Sequence, residues 1–155
     1  MRFTPSSLSV MGVLQTWFHL EIPEYLVVGA GAAILLLVVL VRLDAIPDFR
    51  FRLLVMSSVL IWVVIFNHMA ESPTMIIAMA GVGLWYYFQP ADTVNTILLV
   101  LTFVLTCLSP TDLVPRAVRQ RLLIGYVQVA PCIVVWMKIQ YDLLRFPART
   151  KSPAV

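Results

Sequence analysis

An all-α, polytopic membrane fold is what this sequence predicts, and three observations predict it. Hydrophobic residues make up 61% of the 155 positions and charged residues only 12%, at a mean hydropathy of +0.92, against an apolar share of about 45–50% in soluble domains. Runs such as AAILLLVVLV, residues 32–41, lack the apolar–polar alternation of a β-barrel strand. The basic residues flank the apolar runs instead of forming a stripe, which fits a membrane and not a nucleic acid. A chain this short cannot hide so much apolar surface against itself, whereas lipid covers it directly.

The elements follow in order. Residues 1–24 read as an interfacial amphipathic lead-in. Val10, Met11, Leu14, Trp17 and Phe18 share one helical face, Ser9, Gln15, Thr16 and His19 lie elsewhere, and the helix ends near Pro23. Residues 25–145 form a transmembrane bundle with about five helices, marked by the apolar segments 25–43, 53–66, 73–88, 94–108 and 122–144. The first and last are long enough to cross a hydrocarbon core of roughly 30 Å. The middle three reach that length only if their polar flanks are helical too, the second continuing through Asn67 and His68 and the fourth starting near Ala91. Pro131 should kink the last helix, and Trp85, Tyr86 and Tyr87 read as an interfacial aromatic belt. Residues 146–155 form a basic cytoplasmic tail. Cys107 and Cys132 sit inside apolar runs and read as small buried hydrophobes.

Charge orients the first half. Five spans with the amino terminus outside place six Lys and Arg residues in the cytoplasm against four outside. Merging the third and fourth segments into one span gives the same count, so charge leaves the second half open. Either version puts the Arg42–Arg52 connection inside and the connection after the second segment outside.

That outer connection, FNHMAESPT, holds the candidate chemistry. Ser72 followed by Pro73 is a helix-start pattern, with the Ser oxygen at the N-cap and Pro where its missing N–H costs nothing. Amides at such a helix start, including those around Thr74, suit a phosphate. His68 supplies a cationic or hydrogen-bonding group, and Glu71, three residues on, accepts hydroxyl donors or orients the His68 ring. Asn67 adds an amide. The plainer reading is that these polar residues mark a helix leaving the bilayer. Lys138 and Asp142, four apart, read as a pair that eases a lysine near a helix end. Asp112 and Arg116, at the same spacing, read as a solvated surface pair. The sequence shows no Gly-rich phosphate loop and no metal-spaced Cys or His set, so no cofactor is expected and a divalent metal is left open.

FNHMAESPTMIIAMAGVGLWYY, with LSPTDLVPR and APCIVVWMKIQYDLL, resembles the carboxy-terminal part of bacterial membrane proteins of glycosyltransferase family 87, labelled mannosyltransferase-like. The resemblance implies a GT-C fold and transfer of a mannose-like sugar from a polyprenyl-phosphate donor to an acceptor at the outer face of the cytoplasmic membrane of a bacterium. It further implies that His68, Glu71, Ser72, Thr74 and Asn67 contact the donor. The acidic catalytic base of that class lies in a first external loop that nothing here matches. The chain is therefore expected to be the carboxy-terminal part of a larger enzyme, its partner an amino-terminal half carrying the base. The competing expectation is a small non-enzymatic helical membrane protein, a transporter or assembly subunit.

Overall fold

A computed structural model describes residues 9–19, 22–67, 72–90, 92–108 and 127–147. The described residues are all-helical and contain no strand. Helix α1 is Val10–Phe18, α2 Glu24–Val41, α3 Phe49–Ile65, α4 Met75–Tyr87, α5 Thr93–Phe103 and α6 Ala130–Leu144. Short 3-10 turns, Leu43–Ala45 and Ser72–Thr74, precede α3 and α4, and a π turn, Val104–Leu108, continues α5.

Helix α1 stops at His19, whose left-handed backbone (φ 53°) lets its N–H close on the Leu14 carbonyl. The stop therefore comes before Pro23, which opens α2 instead. Within its described part, Gly12 and Val13 are buried and Val10, Met11 and Leu14 are half-buried.

Helix α2 is the one described helix long and apolar enough to cross a membrane by itself. Five membrane-crossing helices are not reached on that measure, because every other described helix is shorter than α2. The second segment ends at Ile65, with Asn67 outside the helix and His68 outside the described residues, and the fourth starts at Thr93. At 13 residues, α4 is about 20 Å long at ~1.5 Å per residue.

Two close contacts set the packing. The Ser57 hydroxyl of α3 donates to the Gly81 carbonyl of α4 at 2.6 Å. A Cβ at Gly81 would lie 2.9 Å from the Ser57 carbonyl oxygen and 2.8 Å from Ile61 Cγ1, so only glycine allows this approach. On the other side of α3, the Gln140 amide of α6 donates to the Ser58 hydroxyl at 2.5 Å. Ile61 and Ile65 of α3 and Val135 and Ile139 of α6 are completely buried in one apolar core. Helices α4 and α5 are separate, and the Tyr86 hydroxyl meets Thr96 Oγ1 at 3.0 Å across their connection. One cavity collects residues 44–54, 88–89 and 142–147. The start of α3 and the ends of α4 and α6 therefore share one end of the bundle, which rules out a merged third and fourth segment.

Two further expectations change. Pro131 sits in the first turn of α6, where its missing N–H breaks no bond, so it starts this helix and does not kink it. Trp85 is no belt residue. It is 0% exposed while Tyr87 is 79% exposed, because the Trp85 indole donates to Asp142 of α6 at 3.2 Å.

Candidate functional site

The end of the bundle that carries the 66–74 connection is apolar beneath and polar at the rim. Phe66 caps α3, its ring 5.4 Å from that of Trp136 and 6.0 Å from that of Trp62. Asn67 follows, exposed. Ser72 opens a 3-10 turn that passes straight into α4, with Thr74 half-buried as the last residue before the helix proper. The expected Ser72 N-cap is thus displaced: the helix is preceded by a turn in which Ser72 is the first residue. His68 and Glu71 lie outside the described residues. Of the five predicted contact residues, the structure places Asn67, Ser72 and Thr74 on the two edges of one connection, and says nothing of the pair that would act between them.

Below this rim, Leu14, Ile22, Gly31, Phe66, Trp136 and Met137 help line an apolar groove of about 360 Å³. Its floor exists because Gly31 has no side chain, since a Cβ there would lie 2.6 Å from the Phe66 ring and 2.8 Å from the Trp62 indole nitrogen. A second groove of about 440 Å³ shares Ile34 and Met137 with the first and reaches Leu144. The two form one seam between α2 and α6.

The opposite end is charged. Lys138 Nζ lies 2.6 Å from Asp142 Oδ1, as the spacing predicts, and the Trp85 indole takes the other carboxylate oxygen. Asp48 caps α3 by accepting the Arg50 N–H at 2.8 Å. The Arg50 guanidinium reaches over to the Phe88 carbonyl at 2.9 Å. Phe51 and Phe146 meet edge to face at 5.4 Å, and Arg145 stacks over Tyr141 at 4.4 Å. A cavity of about 490 Å³ opens among these groups. Among the described residues no three His, Cys, Asp or Glu side chains converge to hold a metal ion, although Asp44, Asp48 and Asp142 all line this cavity.

Sequence reasoning missed this cavity and the buried polar contacts that brace it. The signal available was the presence of Ser57, Ser58, Gln140 and Asp142 inside apolar runs, where a polar residue needs a partner. Asp112 and Arg116 lie outside the described residues. Comparison of the chain with protein-family models, with curated proteins and with solved structures finds no match in any of the three.

Proposed function

We propose that this chain is an integral protein of a bacterial cytoplasmic membrane, its five apolar segments crossing the bilayer with the 66–74 connection outside. The observation that carries the reading is the inverted polarity of the bundle. Ser57, Ser58, Asn95, Thr102, Thr106 and Gln140 are buried, while Leu36, Leu37, Met56, Ile76, Ile97, Phe103 and Met137 are exposed. Water disfavours that arrangement on both counts, and lipid favours it. The short helices fit a locally thinned bilayer at modest cost.

Within that membrane the proposed activity is glycosyl transfer from a polyprenyl-phosphate sugar, with a mannose-like sugar and an acceptor at the outer face. His68 contacts the donor phosphate or sugar, Glu71 accepts sugar hydroxyls or orients His68, and Asn67, Ser72 and Thr74 complete the contact. The catalytic base comes from an amino-terminal partner segment. Support comes from the quoted motifs and from the apolar seam that begins at Phe66, directly beside this connection, where an isoprenoid chain can lie.

Alkaline extraction of membranes tests the first part: the chain stays in the pellet, and its release into the supernatant refutes it. The second part is tested with His68→Ala and Glu71→Gln in the reconstituted transferase, supplied with polyprenyl-phosphate mannose. A tenfold or larger loss of turnover or of donor affinity is expected. Wild-type values for both variants would leave the non-enzymatic transporter or assembly subunit as the better reading.

A further inference from the structure

The charged cavity holds groups of both signs that do not use each other. Asp142 is already occupied by Lys138 and Trp85, and Arg50 and Asp48 are engaged with Phe88 and with the start of α3. What is left is the Asp44 carboxylate, the Gln89 amide and the Arg145 guanidinium, all lining the cavity. Among the described residues no hydrogen bond or ion pair reaches the Asp44 or Gln89 side chain, and Arg145 has only the face of Tyr141. A carboxylate and a guanidinium thus share one cavity without meeting. A ligand complementary to it carries both a cation and an anion.

The setting selects the kind of ligand. Leu43 and Leu144, next in the chain to Asp44 and Arg145, are 54% and 44% exposed, so both charges adjoin the exposed apolar surface of the bundle. Resting on the membrane-spanning reading above, that level is the inner headgroup layer. We infer that the cavity is a binding site for the phosphoethanolamine headgroup of a membrane phospholipid. Its ammonium donates to Asp44, its phosphate accepts from Arg145, and Gln89 bridges to the glycerol ester. The volume of about 490 Å³ admits one headgroup. Charge-assisted hydrogen bonds of this kind are the strong ones, and the ammonium has three donors to offer where a choline has none.

The test is native mass spectrometry of the full chain released from nanodiscs containing equal phosphatidylethanolamine, phosphatidylcholine and phosphatidylglycerol. Phosphatidylethanolamine should be retained at least fivefold over each of the others. Asp44→Asn should abolish the discrimination between ethanolamine and choline, and Arg145→Gln should lower retention of every phospholipid. Both residues are exposed, and unchanged thermal melting confirms that the variants fold. Equal retention of all three lipids, preference for phosphatidylglycerol, or an unaltered pattern in Asp44→Asn overturns the inference. Soluble glycerophosphoethanolamine competing as well as the lipid overturns its assignment to a phospholipid. Alkaline extraction separates the two failures: a pelleted chain without discrimination refutes the headgroup site alone, and a chain in the supernatant refutes the membrane reading beneath it.

Discussion

The two ends of this bundle are built by opposite means. At the charged end, α3, α4 and α6 are tied by directional contacts: Trp85 to Asp142, Arg50 to Phe88, and the Phe51–Phe146 edge. At the end carrying the 66–74 connection, the described contacts are aromatic rings, with Phe66 and Trp62 packed against the bare backbone of Gly31. Directional bonds fix a geometry and lose much when one partner goes, whereas an apolar groove tolerates rearrangement. The first end is suited to hold the helices in register. The second, on the function proposed above, receives the isoprenoid chain of the donor.

Substitutions can break or sharpen that contrast. The largest effect is expected from Trp85→Ala, which empties a fully buried site and removes the Asp142 donor. A loss of about 3–5 kcal/mol should appear in reversible unfolding in bilayer or micelle. Next comes Asp142→Ala, which strands a half-buried ammonium and an indole. About 2–3 kcal/mol is expected, with Asp142→Asn losing less because it still accepts from Trp85. At the seam, Gly31→Leu should cost only about 1–2 kcal/mol in the same assay, since the Phe66 ring in its path is a movable side chain. It should nonetheless displace a photoreactive isoprenoid probe from Met137. Ser57→Ala, which removes one interhelical bond, should cost about 0.6 kcal/mol. A Gly31→Leu loss larger than that of Asp142→Ala would show that the apolar end, not the charged one, anchors the bundle.

Much of this architecture was legible in the chain, and the exceptions have physical reasons. Hydropathy located α2, α3, α4 and α5 to within a few residues, because each is an uninterrupted apolar run. It failed at helix ends, which capping decides. The run 122–144 looked continuous although Pro131 was a start signal within it, and in FNHMAESPT a 3-10 turn takes the place of the simple cap. Trp85 was misjudged because its neighbours Tyr86 and Tyr87 resemble a belt, and its true partner is 57 positions away. Helical patterns reveal what lies three or four residues apart, hence the correct pairing of Lys138 with Asp142. They are silent on contacts between helices. Of the candidate contact residues, Asn67, Ser72 and Thr74 could be placed, and His68 and Glu71 lie outside the described residues.

The π turn that prolongs α5 has a genetic consequence. A π turn accommodates one residue more than an α turn, and each residue in an α-helix turns the chain by about 100°. Thr106, within Val104–Leu108, uses that offset to donate to the Gln128 carbonyl at 3.0 Å and to sit 3.7 Å from Cys132 Sγ. Five residues of π turn wind the chain through about as much as four of α-helix, so deleting Leu105 in frame would restore an ordinary α-helix with the residues beyond it nearly in phase, at the cost of the local contacts of Thr106 with Gln128 and Cys132. The five-residue stretch VLTCL therefore absorbs one residue more than an α turn, and a single in-frame deletion there should disturb the helix less than one made elsewhere in α5.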